Sequence, residues 1–256
     1  MNILSKNQLK YLAAYKSQKH CEEDGLFVVE GVKMCEEAIA SGFTIRTACF
    51  SNDYLHSTNA DPQLEYLSLK GCELYEVSDE QLERLSNMRT PNKIWMLLER
   101  YGQNNLTLEP QTLTLALDDI QDPGNMGTII RTADWYGIRH IVCSPNTVSC
   151  FNPKVVQATM GAIFRTKIEY RNLVDWIHEA SEKGLSSFAA MLDGKPYQNI
   201  KLSKPAILVI GNESNGISLP IANLVQHQLS IPNIGGTCES LNAAVAAAIL
   251  ISEFYR

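Results

Sequence analysis

The clearest pattern of apolar and polar positions lies in residues 115–137, LALDDIQDPGNMGTIIRTADWYG. The apolar run Leu113–Leu117, which overlaps its start, has the length and character of a buried parallel strand. Acidic and turn-forming residues then interrupt the run, and the apolar residues that follow recur at spacings that line one face of a helix. The pattern therefore predicts a strand, a turn and a helix, with Asn125 and Arg131 beyond the carboxyl end of the strand.

That position makes Asn125 and Arg131 candidate functional residues. In open α/β sheets, ligands bind in the crevice outside the carboxyl ends of the strands. The alternative is an ordinary surface turn, because an Asn and an Arg near a helix start are common. The hydrophobic pattern alone leaves both interpretations open.

The first hundred residues alternate between strand and helix patterns. We predict strands over 25–31, 45–50, 73–77 and 94–98, and helices over 1–20, 32–41, 61–69 and 79–86. This alternation is typical of one small α/β domain. The first helix is basic, and its lysines either form a solvated face or contact phosphate.

The second half continues the alternation. We predict strands over 138–143, 186–192, 206–210 and 229–233, and helices that begin near 152, 173 and 238. A polar stretch with turn formers separates the two halves. The resulting domain prediction is 1–100, a linker over 101–109, and 110–256.

A glycine-bracketed loop follows the apolar strand 206–210. Gly211 and Gly216 flank it, and glycine allows a backbone to approach a ligand closely. Neither GxGxxG nor GxxxxGK[ST] is present, so the loop carries no dinucleotide or phosphate-loop fingerprint.

Composition narrows the class of protein. The chain has 256 residues, 45% of them hydrophobic, and a formal net charge of −6, which argues against nucleic-acid binding by the whole surface but allows a local basic patch. No apolar stretch reaches a membrane-spanning length and no signal peptide is visible, so we expect a cytoplasmic protein without membrane contact. The seven cysteines include no CxxC pair, so we expect free thiols and no metal site.

Three segments resemble the motifs of a known enzyme family. Asn125–Ala133, NMGTIIRTA, resembles the first motif of the SpoU/TrmH-type RNA ribose 2'-O-methyltransferases of the knotted SPOUT superfamily. Residues 206–217 resemble the second motif, and Ser240-Leu241-Asn242 resembles the third, in the family's order and spacing. The resemblance implies an α/β fold with a C-terminal trefoil knot, S-adenosylmethionine as cofactor, and a homodimer that pairs through the C-terminal domain.

The N-terminal half is similar to the L30e-like substrate-binding domain of that family. Phe27–Gly31 and the helix after it carry the similarity, which implies a domain that grips folded RNA; a scaffold role is the alternative. The chain departs from the family pattern in several places. Asn92-Lys93 stands where Gln-Gly is usual, and Gln157 and Thr159 stand where an Arg and a Ser are usual. The loop Ile234–Thr237 has no clear Met-Xaa-Gly, which is frequent there in the family.

The resemblance also implies the residues of the site. The catalytic set is Asn125, Arg131, Glu213, Ser240 and Asn242. The cofactor-binding set is Ile210, Gly211, Asn212, Gly216, Ile231, Ser240 and Leu241. Arg131 would steady the developing alkoxide, because arginine does not readily deprotonate and is a poor general base.

The implied reaction is methyl transfer to a ribose 2'-hydroxyl of rRNA or tRNA. One alternative is a non-catalytic RNA-binding relative with the same fold, against which the intact motif residues argue. A second is a knotted enzyme that methylates a base nitrogen, in which the Asn and Arg of the first motif would not be expected. The sequence leaves the RNA and its nucleotide open.

Overall fold

The computed structural model describes residues 1–56, 60–101 and 112–256. Most of the predicted linker, 102–109, lies outside the described residues. By its internal contacts the described chain divides into two compact units. One comprises the described residues of Met1–Gly102 together with Phe151–Phe164, and the other those of Gln103–Cys150 and Arg165–Arg256.

The strands and helices alternate along the chain. The strands are β1 (Asn2–Ile3), β2 (Leu26–Glu30), β3 (Ile45–Ser51), β4 (Glu73–Val77), β5 (Ile94–Glu99), β6 (Leu113–Asp118), β7 (His140–Cys143), β8 (Lys167–Tyr170), β9 (Ser186–Pro196), β10 (Ala206–Gly211) and β11 (His227–Ser230). The α-helices are α1 (Lys6–Ala13), α2 (Gln18–Glu23), α3 (Val32–Ser41), α4 (Asn52–Leu55), α5 (Ala60–Leu69), α6 (Asp79–Leu85), α7 (Pro123–Trp135), α8 (Pro153–Ala158), α9 (Leu173–Glu182), α10 (Leu219–Leu224) and α11 (Ala243–Phe254).

The first unit is built on a five-stranded sheet in the order β1-β4-β3-β5-β2. Strand β5 runs antiparallel to both of its neighbours, and the other pairs are parallel. The segment Phe151–Phe164, although it follows α7 and β7 in the chain, belongs to this unit: the ring of Phe151 lies 4.7 Å from that of Phe27.

The prediction of one helix over 1–20 is wrong. Helix α1 ends at Ala13, a 3₁₀ turn covers Ala14–Lys16, and α2 begins only at Gln18. The break buries Tyr15 completely and brings its hydroxyl 2.7 Å from Asp24, to which it donates a hydrogen bond. The burial of the Tyr15 ring therefore favours a broken helix over the continuous helix that the spacing of the lysines predicts.

The second unit is built on a six-stranded, wholly parallel sheet in the order β11-β9-β10-β6-β7-β8. The central strands β6 and β10 are buried along nearly their whole length, as a parallel sheet covered on both faces requires. Helices α7 and α11 lie side by side, with contacts both at their starts, Asn125 to Asn242, and at their ends, Tyr136 to Tyr255.

Within the described residues, no helix is both long enough and apolar enough to cross a membrane. The mixed α/β architecture with two units agrees with the predicted fold class. The trefoil knot stays a prediction from the resemblance.

Candidate functional site

The register of the central strands brings the first two sequence motifs together. Strand β10 pairs with β6 so that Gly211 lies opposite Asp118 at the carboxyl ends of both strands. The loops that follow are then tied to each other. The Ser218 N–H donates to Asp118 at 2.8 Å, and the Asn212 side-chain amide donates to the Asp119 carbonyl at 2.7 Å.

The loop after β6 ends in a capped helix. Asp122 is the N-cap of α7, and its carboxylate accepts the Asn125 N–H at 2.7 Å, while Pro123 occupies the first helical turn. Asn125 therefore lies in the first turn of α7, and only 8% of the residue's surface remains exposed. The local sequence fixes the backbone at the first motif residue.

Three motif residues form one continuous chain of hydrogen bonds. The Asn242 amide donates to the Asn125 carbonyl oxygen at 2.8 Å, and the Asn125 amide donates to a Glu213 carboxylate oxygen at 2.9 Å. Asn125 is thus held at both ends of its side chain. The structure brings one residue of each motif into direct contact.

The Glu213 carboxylate also supports the turn before α7. It accepts the backbone N–H groups of Gln121 and Asp122 at 3.4 and 3.3 Å. A carboxylate suits this place, because the amino end of a helix carries partial positive charge. Glu213 accordingly joins the second motif to the start of the first.

The second-motif loop closes so tightly that its first residue must be glycine. A Cβ on Gly211 would lie 2.4 Å from the Gly216 carbonyl carbon and 2.5 Å from the Ile217 nitrogen, both backbone atoms. Asn212 and Gly216 exchange two backbone hydrogen bonds of 2.9 and 3.0 Å, and Gly216 has a φ of +69°. The result is a narrow turn at the strand end that presents main-chain groups.

The third motif lies in a loop rather than in a strand and helix as predicted. Strand β11 ends at Ser230, before Pro232, so the prediction of a strand through Asn233 is wrong; proline has no N–H for a ladder. The prediction of a helix from Cys238 is also wrong. Helix α11 begins at Ala243, because the Asn242 side chain caps it by accepting the Ala244 N–H at 2.9 Å.

Asn242 therefore has two tasks. The side-chain oxygen of Asn242 caps α11, and its side-chain NH₂ group donates to Asn125. Ser240 and Leu241 lie exposed in the preceding loop, and Ser240 makes no hydrogen bond with Asn125, Glu213 or Asn242.

Arg131 lies apart from this chain of hydrogen bonds. At about 3.6 residues per helical turn, a position six residues after Asn125 points to another face of α7. Arg131 is exposed and has no hydrogen bond or ion pair with any residue that the structure describes. The Glu213 carboxylate is bonded to Asn125 and not to Arg131.

Sequence reasoning missed the acidic residues that shape these loops. The Asp118 carboxylate accepts a hydrogen bond from the second-motif loop, and Asp122 caps α7. Asp119 has a positive φ of 60°, and its backbone carbonyl accepts the hydrogen bond from Asn212. The signal was present in the run LDD at the strand end followed by Asp-Pro, a combination typical of a strand that leads into a capped helix.

Two further groups at this edge of the sheet stay protonated. Burial raises the pKa of the Cys143 thiol well above its ordinary value, and burial raises the pKa of the Tyr170 hydroxyl. The Tyr170 hydroxyl accepts the Cys150 N–H at 2.7 Å and donates to the Val148 carbonyl at 2.9 Å. The Tyr170 side chain therefore supports the loop after β7. Among the described residues, no group of three His, Cys, Asp or Glu side chains is placed to hold a metal ion.

Two family profiles match the chain. The SpoU rRNA Methylase family matches residues 112–252, and the MRM3-like substrate binding domain matches residues 6–95. The first match spans all three motifs.

Proteins similar along the whole chain carry related names. The 23S rRNA (guanosine(2553)-2'-O)-methyltransferase RlmP of Bacillus subtilis is 30% identical over 249 residues, which cover 96% of each chain. The human mitochondrial rRNA methyltransferase 3 is 27% identical and covers 93% of this chain and 69% of its own. A crystal structure of an AdoMet-bound rRNA methyltransferase from Sinorhizobium meliloti superimposes with a TM-score of 0.89 and 28% identity, and covers 99% of this chain and 97% of that one.

Proposed function

Since the chain belongs to the SpoU rRNA methylase family, we propose that it transfers a methyl group from S-adenosylmethionine to a ribose 2'-hydroxyl of ribosomal RNA. The observation that carries the proposal is the chain of hydrogen bonds from Asn242 through Asn125 to Glu213, beside the tight turn at Gly211. Family membership confirms the resemblance drawn from the motifs and the general class, an RNA methyltransferase that uses S-adenosylmethionine. The ribose position and the kind of RNA are the finer parts of the proposal.

The residues at the loop ends fit the cofactor. Adenosine is uncharged and needs hydrogen bonds from main-chain groups, which a turn without side chains exposes best. At Gly211 a Cβ would collide with backbone, so only glycine leaves this turn intact. We assign cofactor binding to the predicted set, Ile210, Gly211, Asn212, Gly216, Ile231, Ser240 and Leu241. When bound, S-adenosylmethionine supplies an electrophilic methyl group on a sulfonium.

The protein must orient the ribose and stabilise the alkoxide that forms as the 2'-hydroxyl loses its proton to solvent water. Asn125 is fixed at both ends of its side chain and therefore offers a preorganised contact at low reorganisation cost. Arg131 is a permanent cation without a protein partner among the described residues, so it is available to steady the alkoxide and an adjacent phosphate. Glu213 holds Asn125 in place.

A homodimer is part of the proposal. Helix α11 is apolar on nearly every side, yet Val245 within it is 48% exposed. Leu241, just before the helix, is also 48% exposed, and Trp135 on the neighbouring helix α7 is 86% exposed. A helix that is apolar all round is normally covered on all sides. A second copy of the chain, pairing through this face of the C-terminal domain, would cover it.

The predicted domains are carried into the proposal. Residues 1–100 would bind the RNA substrate and 110–256 would hold the knot and the catalytic site. A cytoplasmic location also belongs to the proposal, because ribosomal RNA, named for the Bacillus relative, is made and modified there in bacteria.

The test has two stages. Calorimetry with S-adenosylmethionine on the wild type should give saturable binding, and in vitro transcribed 23S ribosomal RNA should then accept methyl groups that nuclease digestion locates on a ribose. Arg131→Ala should reduce transfer by about a hundredfold or more while it leaves cofactor affinity within about twofold. Arg139→Ala is the matched control. Arg139 is an exposed arginine of the same unit and directly precedes β7, so it lies at the amino-terminal ends of the strands, away from the site.

Three results would contradict the proposal. A wild type without cofactor binding would point to the non-catalytic RNA-binding relative. Methyl groups found on a base would move the activity to the base-methylating class. Transfer to tRNA but not to ribosomal RNA would keep the reaction and change the substrate.

A further inference from the structure

A buried carboxylate in the first unit anchors a loop that the proposed function does not yet explain. Glu30, the last residue of β2, is only 6% exposed. Burial raises its pKa, whereas its hydrogen-bond partners and the nearby Lys16 favour the charged form. An apolar side chain would fill this place at a lower desolvation cost, so the carboxylate calls for a specific role.

The partners of Glu30 all lie at the start of one loop. The Ser86 hydroxyl donates a short hydrogen bond to one carboxylate oxygen, and the Asn87 N–H donates to the other at 2.8 Å. Ser86 then accepts the Met88 N–H at 3.0 Å. Glu30 thus fixes the direction in which the chain leaves α6.

The far end of the same loop is fixed by backbone bonds. The Lys93 carbonyl accepts the Ser51 N–H at 2.8 Å, and Lys93 itself has a positive φ of 55°. We call Asn87–Lys93 the anchored loop. The anchored loop exposes two cationic side chains, those of Arg89 and Lys93.

A third cation lies near the first end of the anchored loop. Lys16 is exposed, donates to the Glu83 carbonyl at 3.3 Å, and interacts electrostatically with Glu30. The chain as a whole is acidic, with a net charge of −6, whereas the anchored loop carries two exposed cations and no acidic residue. Phosphate groups of RNA have the complementary charge.

We propose that Glu30 is a positioning residue for RNA binding, which holds the anchored loop so that Arg89 and Lys93 meet phosphates of the substrate RNA. The inference rests on the proposed function, since RNA is taken as the substrate. The inference assigns a role to the anchored loop even though Asn92-Lys93 within it departs from the family pattern.

The experiment compares Glu30→Ala with the wild type on in vitro transcribed 23S ribosomal RNA. Simple charge counting predicts tighter RNA binding, because the variant has one negative charge fewer. Our proposal predicts the opposite: the KM and Kd for RNA rise about tenfold, while kcat and the cofactor Kd stay within about twofold. Glu65→Ala on α5 is the matched control, an exposed glutamate of the same unit, and should not weaken RNA binding.

Two further variants keep the test decisive if Glu30→Ala folds poorly. Glu30→Gln retains one acceptor for the Asn87 N–H and should restore RNA affinity to within about threefold of the wild type. Ser86→Ala keeps the carboxylate but removes its hydroxyl donor, and should weaken RNA binding about threefold. Melting temperatures identify any variant whose loss reflects unfolding.

A variant cycle separates positioning from general damage. If Glu30 acts through the two cations of the anchored loop, adding Glu30→Ala to the pair Arg89→Ala and Lys93→Ala should weaken RNA binding no further. Folded Glu30→Ala with unchanged or tighter RNA binding, or a further loss when Glu30→Ala is added to that pair, would overturn the inference. Wild type that binds RNA without methyl transfer would defeat the proposed function only, and wild type that does not bind RNA would overturn both.

Discussion

Asn125 uses both ends of a single side-chain amide to join the three motifs. Its carbonyl oxygen accepts from Asn242 and its amide group donates to Glu213, so neither end can be reversed without placing two donors or two acceptors face to face. Because the residue is 8% exposed, water has little access to replace a lost partner. The identity of this one residue therefore controls the geometry of the site.

The substitution Asn125→Asp tests this dependence. It places a carboxylate next to Glu213, and two neighbouring carboxylates raise the pKa of at least one of them in the folded state. A carboxyl whose folded pKa is raised stabilises the fold below its unfolded pKa and loses that effect as pH rises. We expect the variant to be about 1–3 kcal/mol less stable than the wild type at pH 8 and close to it at about pH 4, where the carboxyl is largely protonated in the unfolded chain as well.

Melting temperatures measured across that pH range check the prediction. Asn146→Asp, at an exposed asparagine of the same unit, is the control and should show no such trend. A difference between Asn125→Asp and the wild type that stays constant with pH would show that the two carboxylates do not share a proton.

At the scale of elements, the site depends on how β10 turns into its loop. The apolar run and the bracketing glycines predict the strand and the turn from sequence. They do not predict that Gly211 meets the backbone of Gly216, because that contact depends on how the loop closes on itself. In the same way, Asn242 was identified as a site residue, while its role as the cap of α11 emerged only from the fold.

The substitution Gly211→Ala adds only one methyl group, yet it should disturb this turn strongly. The new Cβ would lie within 2.5 Å of backbone atoms of Gly216 and Ile217, which cannot move without opening the loop. We expect a loss of about 1–3 kcal/mol in the free energy of unfolding and at least about a tenfold weaker S-adenosylmethionine affinity by calorimetry. Gly184→Ala is the control: its φ of +83° strains the variant, but no atom lies within 4 Å of the added Cβ.

For this control, cofactor affinity should remain that of the wild type. Equal losses of affinity in the two glycine variants would indicate that general destabilisation, rather than the shape of the turn, governs cofactor binding. Full affinity in Gly211→Ala would remove the turn from the cofactor site.

At the scale of the whole molecule, the sequence pattern predicts the strands and helices but not how segments distant in sequence pack together. Alternating strands and helices were predictable because each has its own apolar period. The placement of Phe151–Phe164 in the first unit was not, because it depends on contacts such as Phe151 with Phe27, far apart in sequence. Asn125 and Glu213 illustrate the same limit, because the motifs identify both residues but do not show that their side chains bond to each other.

The exposed face of α7 and α11 leads to the last prediction. Arg131 and Trp135 are four residues apart on α7 and therefore share one helical face, and Val245 is exposed on the adjacent helix. If a second copy covers Trp135, Arg131 lies about one helical turn from the pairing surface. Dimer formation and methyl transfer should then be coupled.

Trp135→Glu and Val245→Glu would each place a charge in the pairing surface, which is costly in a desolvated apolar contact. We expect sedimentation velocity to show dimers for the wild type and monomers for both variants at micromolar concentration. Leu69→Glu on α5 is the control, because Leu69 is 81% exposed in the other unit and should leave the dimer intact. Methyl transfer should fall with the dimer in the two variants, and monomeric variants with full activity would show that Arg131 acts without a second copy.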